Sequence, residues 1–428
     1  MSMRHLSQHW HFYQPRGNDY WAAKINEQCY RPNSENGVMD HVSFNIGPTL
    51  IEWFEQNDPG TLDRMISADH GQAIAQPYNH RILPLIRHDE DLKTQIRWGK
   101  EHFKKYFGRE PRGIWLPETA TDIRTSKALA EEGIEYTIGA PSQAINEDGS
   151  PVSSGCYDVD LGSGLSIAYF FFHPRSGEIA HNADTPFGDT SFLDNADVAL
   201  DVLVRESEGE ALILLAYDAE TFGHHNKFAD LWADYFPTAV EQHPETEDMI
   251  TLDQYLDTYG THGMVALVER SSWSCLCGGL KRWSGDCDCA KSREQYREEL
   301  LRTLEEQEDT VHDIFYTTSR KFINDPWVAR DDYIHVLMDE LGFEDLIRPY
   351  LKEDVTYSTM YELKELFEAE YLTQLSFTSC GWFFPDINLQ TKNNIRDAYA
   401  ASQRIKSSTG HDISAPLSSI DWMLSRPD

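Results

Sequence analysis

Two short apolar runs in this chain end in carboxylates. Ala211-Leu212-Ile213-Leu214-Leu215-Ala216 leads into Tyr217-Asp218-Ala219-Glu220-Thr221-Phe222-Gly223-His224-His225, and Gly113-Ile114-Trp115-Leu116-Pro117 leads into Glu118. Runs of this length are those of strands buried on both faces. Alternating β/α folds assemble their reacting groups at the carboxyl ends of such strands. Two acids delivered on two strand ends are the minimum equipment for glycoside chemistry. The amino-terminal run closes on His9-Trp10-His11-Phe12-Tyr13-Gln14-Pro15, with His9 and His11 on one face of their strand. His-x-His is also a ligand spacing, so a divalent metal held with Asp218 is the rival chemistry. Strand alternation puts Glu220 on the face of Asp218, where its like charge would help keep the Asp218 carboxyl protonated. The plainer role for Glu118 is to cap a helix beginning near Thr121.

The elements that must position these groups follow from periodicity. Strands are predicted at Arg4–His11, Gln72–Ala75, Gly113–Leu116, Tyr136–Gly139, Leu165–Phe172, Ala211–Tyr217 and Met264–Leu267. Helical patterns lie between them, around Ser43–Gln56, Pro84–Tyr106, Ile123–Glu132, Ala196–Glu206 and Leu231–Gln242. Strand-helix alternation of this length argues for a parallel barrel or an open parallel sheet. From residue 291 to 428 the pattern turns helical, with helices expected at Ser292–Ile323, Asp331–Leu341, Thr356–Leu375 and Lys392–Lys406. An aromatic loop over residues 377–388, carrying Trp382, interrupts this second domain. The first domain is expected to span residues 1–290.

The composition excludes several classes. With 71 acids against 37 bases, the net charge of -34 leaves no positive footprint for nucleic acid or an anionic membrane. No apolar run approaches the roughly 20 residues that span a bilayer, and the amino terminus has no signal-peptide pattern. A cytoplasmic location is therefore expected. The 40% hydrophobic content marks a folded protein, and its 11 tryptophans and 20 tyrosines serve either a large core or a sugar-binding cleft.

Taken in order, His9-Trp10-His11…Gln14-Pro15, Gln76-Pro77-Tyr78-Asn79-His80, Trp115-Leu116-Pro117-Glu118 and Asp218-Ala219-Glu220-Thr221-Phe222-Gly223-His224 resemble the sequential motifs of glycoside hydrolase family 57. That family contains α-amylases, 4-α-glucanotransferases and glucan branching enzymes. The resemblance covers roughly residues 4–290. Phe377–Phe384 is similar to a segment from a poorly characterised branch of the family. The resemblance implies an α/β fold, a (β/α)7 barrel followed by a helical domain. It also implies retaining chemistry on α-glucosidic bonds, with Glu118 at the nucleophile position and Asp218 at the general acid/base position; the residues alone left their order open. No cofactor is implied for catalysis, and an oligo- or polysaccharide, an α-glucan, is the implied substrate. His9, His11, Gln14, His80, Trp115, Glu220, His224, Trp273 and Trp382 are the candidate substrate contacts, His224 being expected to meet His9 and His11 across the barrel. His225-Asn226 departs from the family, many of whose members carry a tryptophan there. The rival reading is a metal-dependent deacetylase or α-mannosidase using His9, His11 and Asp218. A third is a carbohydrate-binding protein on a decayed barrel, which the presence of both carboxylates argues against.

Four of the seven cysteines form a second constellation. Cys275-Leu276-Cys277 and Cys287-Asp288-Cys289 frame the segment Gly278–Asp286. Two close pairs of soft ligands suit tetrahedral zinc in a structural role, with an iron–sulfur cluster or four reduced thiols as alternatives.

Overall fold

The computed structural model describes residues 4–176, 195–285 and 287–427. They divide into two compact units, residues 1–76 with 103–273 and residues 77–102 with 274–428.

The first unit is built on a ring of parallel strands. Strand β1 (Arg4–Phe12) pairs with β2 (Ser43–Ile46) on one side. Phe44 of β2 bridges in parallel to Ala73, and Ala75 bridges to Ile114 of β3 (Gly113–Ile114). From there β3 pairs with β4 (Tyr136–Gly139), and β4 with β5 (Ser166–Phe171). The His173 N–H donates to the Leu214 carbonyl of β6 (Leu212–Asp218) at 2.6 Å, and β6 pairs in parallel with the other side of β1. The segment 72–75 thus supplies the seventh parallel stave, and the ring closes as a (β/α)7 barrel. Side chains of period two fill it: Leu212, Leu214 and Ala216, Tyr136 and Ile138, Ala168 and Phe170 share one apolar cluster with Ile74 and Trp115. Asp218 is the next member of the β6 row. The apolar rows therefore end in a carboxylate at the carboxyl end of the barrel.

Several helices fall near their sequence positions because their caps are encoded, whereas the expected helix Asp331–Leu341 is replaced by the short helices Pro326–Asp331 and Ile334–Leu337. Asn195 accepts from the Asp197 and Val198 N–H groups to start Ala196–Glu206, and Asp122 accepts from the Thr125 N–H to start Ile123–Glu131. The expected helix at Ser43–Gln56 is a correction: Ser43–Ile46 is a strand, and the helix runs from Pro48 to Asn57. Proline belongs in a first turn, not in a helix interior. Gly47 marks the break, for a Cβ there would lie 2.7 Å from the Tyr13 ring and 3.0 Å from the Gln76 amide. The strands Ala144–Asn146, Gly155–Asp160 and Thr246–Met249 were not expected.

The second unit packs Arg297–Ser319, Tyr357–Leu375 and Leu389–Thr409 around Val311, Phe315, Leu363, Leu366, Phe367 and Ile405. Tyr78 and Trp98 are buried in this same core. That is why residues 77–102 belong here, and why the units do not divide once near residue 290. At its centre Arg330 Nη1 donates to Asp91 at 2.6 Å and Glu370 at 2.8 Å, and Nη2 to Thr94. His312 lies 3.2 Å from Asp91 and 3.3 Å from Glu370. All four charged residues are buried. The donor set of Asp91, His312 and Glu370 converges as a metal site would, but the Arg330 guanidinium already balances its charge.

No helix among the described residues is long and apolar enough to cross a membrane.

Candidate active site

Register brings the polar groups to one level of the barrel. His11 on β1 stands opposite Asn45 on β2 and Asp218 on β6. His9 uses both ring nitrogens, Nδ1 with Ser43 Oγ and Nε2 with Asn45 Oδ1, each at 3.0 Å. His11 Nδ1 shares Asn45 at 3.1 Å. Burial drives both imidazoles toward the neutral form, the His9 pKa down to about 3 and that of His11 to about 4, against the opposing pull of the Asn45 bonds. Both rings stack on Trp115, at 4.9 and 5.0 Å between centroids. With both nitrogens of His9 engaged by neutral partners, the ring is a fixed support and not an open metal ligand. Among the described residues, His9, His11 and Asp218 are not one of the groups whose donor atoms converge on a metal position.

Glu118 sits in a different kind of backbone. It and Thr119 are consecutive left-handed residues, with φ of 58° and 49°. Neither is glycine and Thr119 is β-branched, so this conformation is strained and must be held from outside. Gln143 holds it: its Oε1 accepts from Thr119 Oγ1 and its Nε2 donates to the Thr119 carbonyl, both at 2.8 Å. The segment Ser271–Trp273 runs antiparallel against Thr121, and the Trp273 N–H donates to Thr119 Oγ1 at 3.0 Å. The Trp273 indole N–H then reaches Glu118 Oε2 at 3.3 Å. A helix cap would need none of this. Asp122 performs the capping, so Glu118 is left for another use.

Asp218 is partly buried and its pKa is pushed well above the carboxylate range. Burial is the largest cause, followed by the negative charges of Glu220 and then Glu118. Glu220 is buried as well, which raises its pKa, and Tyr30 and Gln14 oppose this as donors, Gln14 Nε2 at 2.6 Å. Strand alternation is not what brings Glu220 to Asp218. The strand ends at Asp218, and a 3₁₀ turn over Ala219–Thr221 carries Glu220. Asp218, with its raised pKa, thus feels the charge of Glu118, which accepts from an indole N–H, and such an arrangement can supply a proton donor and a carboxylate.

A family model for glycosyl hydrolase family 57 matches residues 7–268. The chain belongs to glycosyl hydrolase family 57. A second model, of a domain of unknown function, matches residues 293–420. Alpha-amylase 1 of Dictyoglomus thermophilum is 29% identical over 247 residues, which is 54% of this chain and 32% of that protein. A 1,4-alpha-glucan branching enzyme of Thermococcus kodakarensis is 38% identical over 125 residues, 27% of this chain and 17% of that protein. This chain therefore spans about a third or less of these curated relatives. The solved structure of an exo-type maltose-forming amylase from Pyrococcus sp. ST04 superposes with a TM-score of 0.76 at 14% identity, covering 98% of this chain and 83% of that one. It shows the same fold.

In this family 57 chain the remaining candidates separate. Trp115 and His9 are completely buried and stacked on each other. Gln14 is a partner of Glu220. His224 bonds to Gln28 at 2.7 Å and meets the edge of Trp21, and the expected meeting with the β1 histidines is replaced by these partners. The turn before it needs glycine: Gly223 has φ 121°, and a Cβ would come 2.2 Å from the Gln28 carbonyl oxygen. His80 and Trp382 belong to the second unit. His80 Nδ1 lies 2.7 Å from Ser379 Oγ; Trp382 is buried, donates to the Arg297 carbonyl and stacks on Phe377. Sequence reasoning missed Tyr30, Ser43, Asn45, Thr119 and Gln143. Only the Ser-x-Asn alternation of residues 43–45 carried a signal, and the helical reading of that segment hid it.

Proposed function

We propose that this chain is a retaining enzyme acting on α-glucosidic bonds of α-glucans, with Glu118 as nucleophile and Asp218 as general acid/base. What supports the reading is the contrast between the two acids: burial and two neighbouring negative charges push the Asp218 pKa up, while Glu118 is bonded to the Trp273 indole. The names of the curated relatives, an alpha-amylase and a 1,4-alpha-glucan branching enzyme, support the substrate class. In the first step a Glu118 oxygen bonds to the anomeric carbon as the glycosidic C–O bond breaks, and the Asp218 proton passes to the leaving oxygen. In the second the Asp218 carboxylate takes a proton from water or a sugar hydroxyl, whose oxygen attacks the anomeric carbon and releases Glu118.

Chain-length and linkage analysis of maltoheptaose, amylose and glycogen after incubation tests this. Shortened chains indicate hydrolysis, and redistributed chains or new branches indicate transfer. Unchanged glucans with folded protein would overturn the substrate assignment.

The indole bond holds Glu118 as an oriented anion. Trp273→Phe keeps the ring and removes the donor, and kcat on maltoheptaose is expected to fall by about 10- to 100-fold, since a hydrogen bond to a charged group is worth about 1.5–3 kcal/mol. Steady-state kinetics with a melting curve would check it. The pH profile tests the role of Glu220. The alkaline limb of activity follows loss of the Asp218 proton. Removing the Glu220 charge lowers the Asp218 pKa, so Glu220→Gln is expected to move the alkaline limb of kcat/KM to lower pH. An alkaline limb that stays in place would contradict the coupling.

A further inference from the structure

We propose that Cys275, Cys277, Cys287 and Cys289 bind one zinc ion as a tetrathiolate that fixes the glycine-rich loop of the second unit. Cys287 Sγ lies 3.8 Å from Cys275 Sγ and 3.7 Å from Cys277 Sγ, and Cys277 Sγ lies 3.0 Å from Cys289 Sγ. A zinc ion with four Zn–S bonds of about 2.3 Å in tetrahedral array sets its sulfurs about 3.8 Å apart. Cys287 is thus nearly equidistant from two other sulfurs, which is the geometry of a shared centre and not of two separate disulfide pairs. No disulfide joins any of these residues. Donor atoms of Cys275, Cys287 and Cys289 all fall within 4.8 Å of one another. That spacing of three sulfurs suits a single ion, with Cys277 reaching the group through Cys287 and Cys289, whereas a multi-iron cluster spreads its thiolates over different irons. Soft thiolates also exclude magnesium and calcium.

The surrounding chain is built for such a centre. Gly278, Gly279 and Leu280 are three consecutive left-handed residues, with φ of 72°, 62° and 56°, and they fold the chain back after Cys277. The Arg282 N–H then donates to Cys275 Sγ at 3.3 Å, a bond that stabilises a metal-bound thiolate. Leu280 and Trp283 are buried, so the loop is anchored on its inner side while Cys289 is exposed. A loop with so much glycine loses more backbone entropy on folding than an ordinary one, and metal binding supplies free energy to offset it. Loading follows 4 RSH + Zn²⁺ → [Zn(SR)₄]²⁻ + 4 H⁺, with no change of oxidation state. Asp286, inside the loop, lies outside the described residues.

The test uses the full chain and does not depend on glucan activity. Metal analysis is expected to find one zinc per chain. Cobalt-substituted protein is expected to show thiolate-to-cobalt charge-transfer and tetrahedral d–d bands that one equivalent of zinc abolishes. Cys287→Ser is expected to weaken zinc binding by roughly 100-fold or more. If that variant does not fold, thiol labelling of wild type decides: four of the seven cysteines should become reactive only when a chelator is added. Absence of the cobalt–thiolate bands, unchanged zinc affinity in Cys287→Ser, or stoichiometric iron would each overturn the assignment.

Discussion

Glu118→Gln is expected to lose activity on maltoheptaose by about 10⁴-fold or more, with little change in Tm, because the amide cannot form the glycosyl-enzyme bond. Two left-handed non-glycine residues in succession, held by Gln143 and Trp273, form a strained arrangement that carries the Glu118 carboxylate. Asp218→Asn is expected to fail differently. It cannot protonate a sugar leaving group, so turnover of maltoheptaose should fall comparably. An activated donor such as α-maltosyl fluoride needs no acid to leave, so the first step on it should survive in Asp218→Asn and vanish in Glu118→Gln. Single-turnover fluoride release by the two variants checks this; equal losses on both substrates would contradict the division of roles.

Arg330→Met is expected to destabilise the second unit by about 3–5 kcal/mol, the range for breaking a buried ion pair from one side. The substitution leaves Asp91 and Glu370 facing a single His312 cation in a site closed to water. Methionine retains much of the packing on Trp327, over which the guanidinium sits at 4.5 Å, so the loss is electrostatic. Adding Glu370→Gln restores neutrality and is expected to recover part of the loss. His312 gives the same cluster a pH signature. Its surroundings push its pKa up to about 11, the facing Glu370 and Asp91 carboxylates outweighing its burial. A folded-state pKa above the unfolded value means the contribution is fully present below about pH 6.5 and is lost as pH rises toward 11. Urea unfolding of wild type and both variants between neutral and alkaline pH measures all three effects. A wild-type-like Arg330→Met would show that the cluster contributes no net stability.

The sequence carried the barrel well because buried parallel strands are written as continuous apolar runs. Tyr136–Gly139 has the expected boundaries and β6 is offset by one residue, whereas Met264–Leu267 is a strand as expected but lies outside the ring, alternately exposed and paired with Ala144–Asn146 and Gly155–Asp160. Ser43–Ile46 was illegible because Ser, Phe, Asn and Ile next to a helix-forming stretch show no run, and only their pairing with β1 makes them a strand. The same failure hid Asn45, which orients both histidines. Glu118 and Asp218 stood out because acids are unexpected at the end of buried strands. The groups around them come from distant parts of the chain through tertiary packing: Gln143 holds Thr119, Tyr30 donates to Glu220, and Trp273, expected as a substrate contact, donates to Glu118. The division of the units was also invisible, since nothing in residues 77–102 announces that Tyr78 and Trp98 complete a helical core.

On the proposed mechanism Glu118 becomes covalently glycosylated while Asp218 manages the proton. Peptide mass spectrometry of Asp218→Asn protein incubated with α-maltosyl fluoride tests it most directly, because removing the base slows release of the intermediate. The expected result is a maltosyl adduct on Glu118, absent from the Glu118→Gln, Asp218→Asn double variant. An adduct on any other residue, or steady turnover of α-glucans by Glu118→Gln, would contradict it.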